Sequence, residues 1–279
     1  MYASVTGRAR EVKQPRGGYI KPSQFEVIEL TDPTPLHEEE NLAPNIVGMA
    51  VDYLTRMMEG KDKQEAFIIP LSGAYTAEQM GAKGALKVAS RLFNGITDLD
   101  DDSIINACKL TSFDIWKRNP LVAPMQKTYK DINPDQNTIE NIRRMVWRGM
   151  AFFDTYGPVT YDGFTFDPPN GKQKDYDKMI KTGKGSFGGY TPTVATGDGD
   201  FLTSQVLWDF KVSKSAPTSK DTLQLLMYWI MGKHSGQDIY KDIIALGIYN
   251  PRLHKIFLLS VNAIPEETIH TVEKEVIGY

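Results

Sequence analysis

The 279-residue sequence predicts a mixed α/β fold with a helical insertion, on three observations. Segments 200–203 and 208–211 read as two strands folded about Ser204-Gln205. Two further strands, 243–249 and 255–261, follow an intervening helix, and the pattern over 76–156 is helical.

In chain order, the first forty residues form an irregular or short-strand lead-in, with alternation over 25–30 before the turn at Asp32-Pro33-Thr34-Pro35. Pro44 sits in the first turn of a helix running to about Glu59. Its apolar stripe is Ile46, Val47, Ala50, Val51, Leu54, Met57 and Met58, and Gly60 stops it. Asp52 lies off that stripe, in line with Asn45, Gly48 and Arg56. Helices over 77–93, 101–117 and 138–153 make the insertion, separated by Asn94-Gly95 and by a loop carrying Asn119-Pro120 and Asn133-Pro134. With no repeat and no low-complexity linker, the expectation is one domain over 1–279 with the insertion at 76–156 inside it.

Residues 161–190 read as a loop-rich stretch with Lys172, Lys174, Lys178, Lys181 and Lys184. After the hairpin, Ser219 is expected to cap a helix over 220–231 that ends at Gly232 and carries Gln224 and Tyr228 on one face. A last helix begins at Pro265 with Glu266 and Glu267 in its first turn.

Composition limits the function classes. A 41% hydrophobic content suits a globular chain, and 32 basic against 35 acidic residues argue against coating nucleic acid through the whole surface while leaving room for a local basic groove. The lone Cys108 excludes a zinc-finger framework and an intramolecular disulfide. Residues 1–10 are basic without an apolar run, and nothing approaches the roughly 18 apolar residues of a membrane span. The expectation is a soluble, cytoplasmic protein without a membrane partner.

The chemistry concentrates at the hairpin. Folding it about Ser204-Gln205 opposes Asp200 to Asp209 and Asp198 to Lys211, all on one face. Two facing carboxylates roughly 4.5–5.5 Å apart at Cβ repel one another, and a hard divalent cation resolves that repulsion. Trp208, Phe210 and Val212 make the other face apolar, so the acidic face is expected to line a cleft. A surface hairpin with cross-strand ion pairs is the plainer alternative.

Gly197-Asp198-Gly199-Asp200, then Asp209-Phe210-Lys211, then Gln224-Leu225-Leu226-Met227-Tyr228 resembles the PD-(D/E)xK nuclease superfamily, and within it the RecB-type exonuclease branch, over about 32 residues. That branch also carries an upstream GxxxH; here Gly48-Met49-Ala50-Val51-Asp52 has aspartate at the histidine position. The resemblance implies a restriction-endonuclease-like mixed sheet flanked by helices and an exonuclease-like, Mg²⁺- or Mn²⁺-dependent deoxyribonuclease acting in DNA repair, phage or defence processes. It implies that Asp200, Asp209 and the Phe210 carbonyl ligate the metal, with Asp52 as a further ligand, and that Lys211 assists the attacking water. Gln224 and Tyr228 would face the DNA backbone or brace the site, plain helix packing being the alternative; for Asp52 the alternative is an i,i+4 pair with Arg56. DNA is the implied partner. With no P-loop motif present, a helicase or other assembly subunit would be a separate protein. The rival reading is a non-catalytic nucleic-acid- or partner-binding protein that retains the nuclease fold.

Other patterns carry less. Gly183 to Gly188 matches GxGxxG by letter, but without a preceding strand and following helix it reads as an ordinary glycine-rich connection, or as a flexible loop that lets DNA approach the metal, rather than as a dinucleotide site. Arg143, Arg144 and Arg148 with Trp147 admit phosphate contact, or a solvated basic face with Trp147 in the core. The four histidines show no metal-ligand spacing.

Overall fold

A computed structural model describes residues 3–279; Met1 and Tyr2, the start of the basic amino-terminal stretch, lie outside the described residues. In chain order the elements are β1 (Ala3–Ser4), α1 (Val5–Glu11), β2 (Glu26–Glu29), α2 (Pro44–Met58), α3 (Lys63–Ala66), α4 (Ile68–Gln79), α5 (Ala85–Asn94), α6 (Asp101–Leu110), α7 (Asp114–Arg118) and α8 (Gln136–Tyr156). They continue with β3 (Tyr161–Asp162), α9 (Gln173–Thr182), β4 (Val194–Thr196), β5 (Phe201–Leu202), β6 (Val206–Phe210), α10 (Ser219–Ser235), β7 (Ala245–Asn250), β8 (Lys255–Ser260) and α11 (Glu266–Thr271). The architecture is α/β. No helix among the described residues is long and apolar enough to cross a membrane.

Two compact units divide the chain. One comprises the residues up to Leu30 with Tyr156–Lys211 and Ser215–Tyr279; the other is Thr31–Thr155 with Val212–Lys214. The first holds a six-stranded mixed sheet in the order β2-β8-β7-β6-β5-β3, in which only β6 and β7 run parallel, and a short parallel pair, β1 with β4. Phe201 pairs with Trp208 and Leu202 with Leu207, the register expected from a turn at Ser204-Gln205. Helix α10 packs on β6 and β7 through Leu223, Leu226, Met227 and Ile230, all buried with Leu207, Leu246 and Ile248 in one core.

In the second unit, α2 buries Val47, Ala50, Val51 and Leu54, the stripe its periodicity predicts. The expected helix over 77–93 is instead two: α4 ends at Gln79 and α5 starts at Ala85, after a turn through Gly81 and Gly84. Helix α4 itself begins at Ile68, in a stretch not read as helical, because its buried side is Pro70, Gly73, Ala74 and Ala77 rather than a stripe of large residues. A Cβ at position 73 would lie 1.9 Å from the Phe113 carbonyl oxygen, so this close helix contact requires glycine. The helix expected over 101–117 is interrupted at Thr111–Phe113 by a 3-10 turn.

Three further expectations are corrected in the first unit. The stretch read as loop before the hairpin contains α9, on which Lys174, Lys178 and Lys181 share the exposed face opposite buried Met179. Thr218, not Ser219, caps α10: Thr218 and Asp221 form a reciprocal capping box. Gly232 does not stop that helix, which runs on to Ser235; the glycine admits the Tyr240 ring, whose Cδ1 would be 2.4 Å from a Cβ there.

Candidate metal centre

The site is built where the β5–β6 ladder ends. Continued by one residue beyond Phe201 and Trp208, its register sets Asp200 beside Asp209. Alternate residues of β6 direct their backbone groups to opposite neighbours. Lys211 N–H donates to the Tyr249 carbonyl on the β7 side at 2.9 Å, so Phe210 faces the β5 side, where no strand backbone remains to meet it. Asp200 supplies the acceptor: its Oδ2 takes the Phe210 N–H at 2.6 Å, while its own carbonyl accepts from Gly163 N at 2.7 Å. The Phe210 carbonyl points to the same side as its N–H.

The glycines before Asp200 have local causes. Gly197 adopts φ 153°, and a Cβ there would sit 2.5 Å from Val5 Cγ2. At Gly199 a Cβ would fall 1.8 Å from the Phe164 ring. Larger residues would push the chain off Val5 and Phe164, and Asp200 away from Phe210.

Asp209 lies on the β6 face that α10 covers and is only 4% exposed, which corrects the expectation that the acidic face lines an open cleft. Its Oδ2 is buried and accepts no hydrogen bond; Lys211 Nζ stands 3.0 Å away as an ion-pair partner. The Lys211 side chain keeps 29% exposure, so the opening to solvent is at its end. Burial alone would lower the Lys211 pKa, but Asp209, Asp200 and Asp221 outweigh it and hold the ammonium above the ordinary lysine value. Asp198 is exposed beyond the ladder and makes no ion pair with Lys211, contrary to the register argument, because the chain at Gly199 has turned to bond the Phe164 carbonyl instead.

Asp221 takes the place expected of Asp198. Its Oδ1 lies 3.9 Å from Lys211 Nζ, while Oδ2 accepts from Thr218 N and Oγ1, both at 2.7 Å. In the sequence Asp221 reads as an ordinary first-turn acid of a helix; only the fold brings it to Lys211.

Gln224 and Tyr228 are both buried, and Gln224 Nε2 donates to Tyr228 Oη at 2.6 Å. Burial first, then the nearby Asp209 and Asp200 carboxylates, push the Tyr228 phenol well above its usual pKa, so it stays neutral. Tyr228 also stacks on Phe166, ring centres 5.7 Å apart. The pair is thus a buried hydrogen-bonded couple within electrostatic reach of the carboxylates, and its burial does not suit contact with a DNA backbone.

Asp52 belongs to the second unit, where its Oδ1 pairs with Arg56 Nε at 2.9 Å along α2. Among the described residues, no group of three or more His, Cys, Asp or Glu side chains is arranged to hold a metal ion. The arginines of α8 are engaged: Arg143 with the Leu99 carbonyl and Asp101, Arg148 with Asp32 at 2.7 Å, and Arg144 with Asp32 at 3.5 Å. Trp147 is not in the core but 48% exposed, with the Arg144 guanidinium 5.6 Å from its ring centre.

No family model, curated protein or solved structure matches this chain.

Two carboxylates with one buried oxygen short of donors, and a backbone carbonyl on the same edge, suit a hard cation. Mg²⁺ is commonly bound through one or two carboxylates while keeping several waters, so a third acidic side chain is not required.

Proposed function

We propose that the chain is a metal-dependent deoxyribonuclease of restriction-endonuclease-like fold, related to the RecB-type exonuclease branch of the PD-(D/E)xK superfamily. The observation that carries the reading is the buried Asp209 oxygen, beside Asp200 and 3.0 Å from a lysine held in its charged form. Asp200, Asp209 and the Phe210 carbonyl would hold Mg²⁺ or Mn²⁺. The bound ion would supply an acidified water and charge stabilisation for a phosphodiester.

The remaining roles belong to the protein. Lys211, drawn to its charged form by its acidic neighbours, offers N–H donors and positive charge to a phosphate or to the water that attacks it. Asp200 fixes β5 to the Phe210 amide and so sets the spacing of the two carboxylates. Gln224 and Tyr228 support Asp209 from beneath with a neutral hydrogen-bonded pair. The lysine face of α9 is a surface on which the strand's phosphates can rest.

A second reading, a nucleic-acid- or partner-binding protein retaining the nuclease fold, is favoured by the Lys211–Asp209 ion pair, which neutralises Asp209 without any metal. Incubating the purified chain with end-labelled single- and double-stranded DNA in Mg²⁺ or Mn²⁺ separates the two. Degradation abolished by Asp209→Ala and by Lys211→Ala, each variant still folded, supports the nuclease; activity that survives both substitutions, or never appears, refutes it.

A further inference from the structure

We infer that Asp221 is a positioning residue that receives the Lys211 ammonium when a divalent cation takes Asp209, so that Lys211 is handed from one carboxylate to the other rather than expelled. The inference rests on the proposed metal site. Lys211 Nζ lies 3.0 Å from Asp209 Oδ2 and 3.9 Å from Asp221 Oδ1. The Asp209 oxygen facing the lysine is the one that accepts no hydrogen bond, and is thus the oxygen a cation would use. Two cations cannot share it closely, because unit charges a few ångströms apart repel by several kcal/mol at the effective dielectric of such sites. Lys211 must therefore retreat.

Asp221 is built to receive it. Its Oδ2 is fixed by Thr218 N and Oγ1 at 2.7 Å each, so the carboxylate cannot rotate away, and Oδ1 is left facing the lysine. It stands in the first turn of the 17-residue α10, where the helix dipole favours negative charge. A half-exposed acid with no role beyond capping would need only Oδ2. The ammonium has only about 1 Å to close before it reaches ordinary charge-assisted hydrogen-bond distance from Oδ1.

The test is titration calorimetry of the 279-residue chain with MnCl₂ at fixed pH, on wild type, Asp221→Asn, Lys211→Met and the double variant. Asn keeps an oxygen for the Thr218 cap, Asp221→Glu serves as the conservative rescue, and circular dichroism verifies folding. Asp221→Asn should weaken Mn²⁺ binding about two- to fivefold, the value of a partly exposed ion pair. Asp221→Glu should restore most of the affinity, and with Met at position 211 the Asp221→Asn change should have no effect. An equal loss with and without Lys211, or no loss in either background, overturns the hand-over while leaving the metal centre standing. If neither wild type nor Lys211→Met binds Mn²⁺, the metal reading falls and the hand-over with it.

Discussion

Replacing Lys211 by methionine removes the cation paired with the buried Asp209 carboxylate, and its cost follows from the geometry. Asp209 is 4% exposed and its Oδ2 has no hydrogen-bond donor, so without the ammonium 3.0 Å away it is an unpaired charge inside the protein. Breaking a fully buried pair in this way costs about 3–5 kcal/mol. The Lys211 side chain is 29% exposed and solvent partly screens the interaction, which reduces the expected loss to about 1–3 kcal/mol. At about 2–4 °C per kcal/mol for a unit of this size, thermal unfolding in EDTA should begin roughly 2–12 °C lower than in wild type. Mn²⁺ at a hundred times its dissociation constant contributes about 2.7 kcal/mol to any state that binds it, enough to return the variant to the stability of metal-free wild type. Differential scanning fluorimetry with EDTA and with MnCl₂ reads both effects. A Lys211→Met protein as stable as wild type in EDTA, or one that Mn²⁺ leaves unchanged, would refute the view of Asp209 as a carboxylate awaiting a cation.

Two other outcomes are expected. In the second unit, burial raises the pKa of Asp114 from 3.8 to about 6, although Tyr53 Oη donates to its Oδ2 at 2.5 Å, and Oδ1 is buried without a hydrogen bond. A raised folded-state pKa favours the protonated native form, so this contribution is complete below about pH 4 and is lost as pH rises through 6. It amounts to about 3 kcal/mol, and Asp114→Asn should flatten that part of a urea-denaturation profile taken between pH 4 and 7; an unchanged profile counts against it. On α9, reversing Lys174, Lys178 and Lys181 to glutamate should weaken single-stranded oligonucleotide binding and make its salt slope shallower by about two units, as read by fluorescence anisotropy. An unaltered slope would mean that this face is merely solvated.

What the sequence disclosed was local. Pro44 and the α2 stripe, the hairpin turn at Ser204-Gln205 and the pairing of Phe201 with Trp208 follow from periodicity and turn position. Helix α4 was hidden because glycine and alanine, not large apolar residues, make its buried side. The burial of Asp209 could not be read from β6, since it depends on which face α10 covers, and Leu207 was the only hint that this face is apolar at one end. Asp221 was hidden for a related reason: a helix N-terminal acid is ordinary in sequence, and its approach to Lys211 arises only when α10 docks beside β6. Asp198 failed as Lys211's partner because the ladder stops at Phe201.

A divalent cation held by Asp200, Asp209 and the Phe210 carbonyl would be visible by anomalous diffraction from crystals grown with MnCl₂. A manganese peak is expected within coordination distance of both carboxylates, with the Lys211 ammonium moved off Asp209. Density that leaves Lys211 on Asp209 and no manganese beside Asp200 would contradict it.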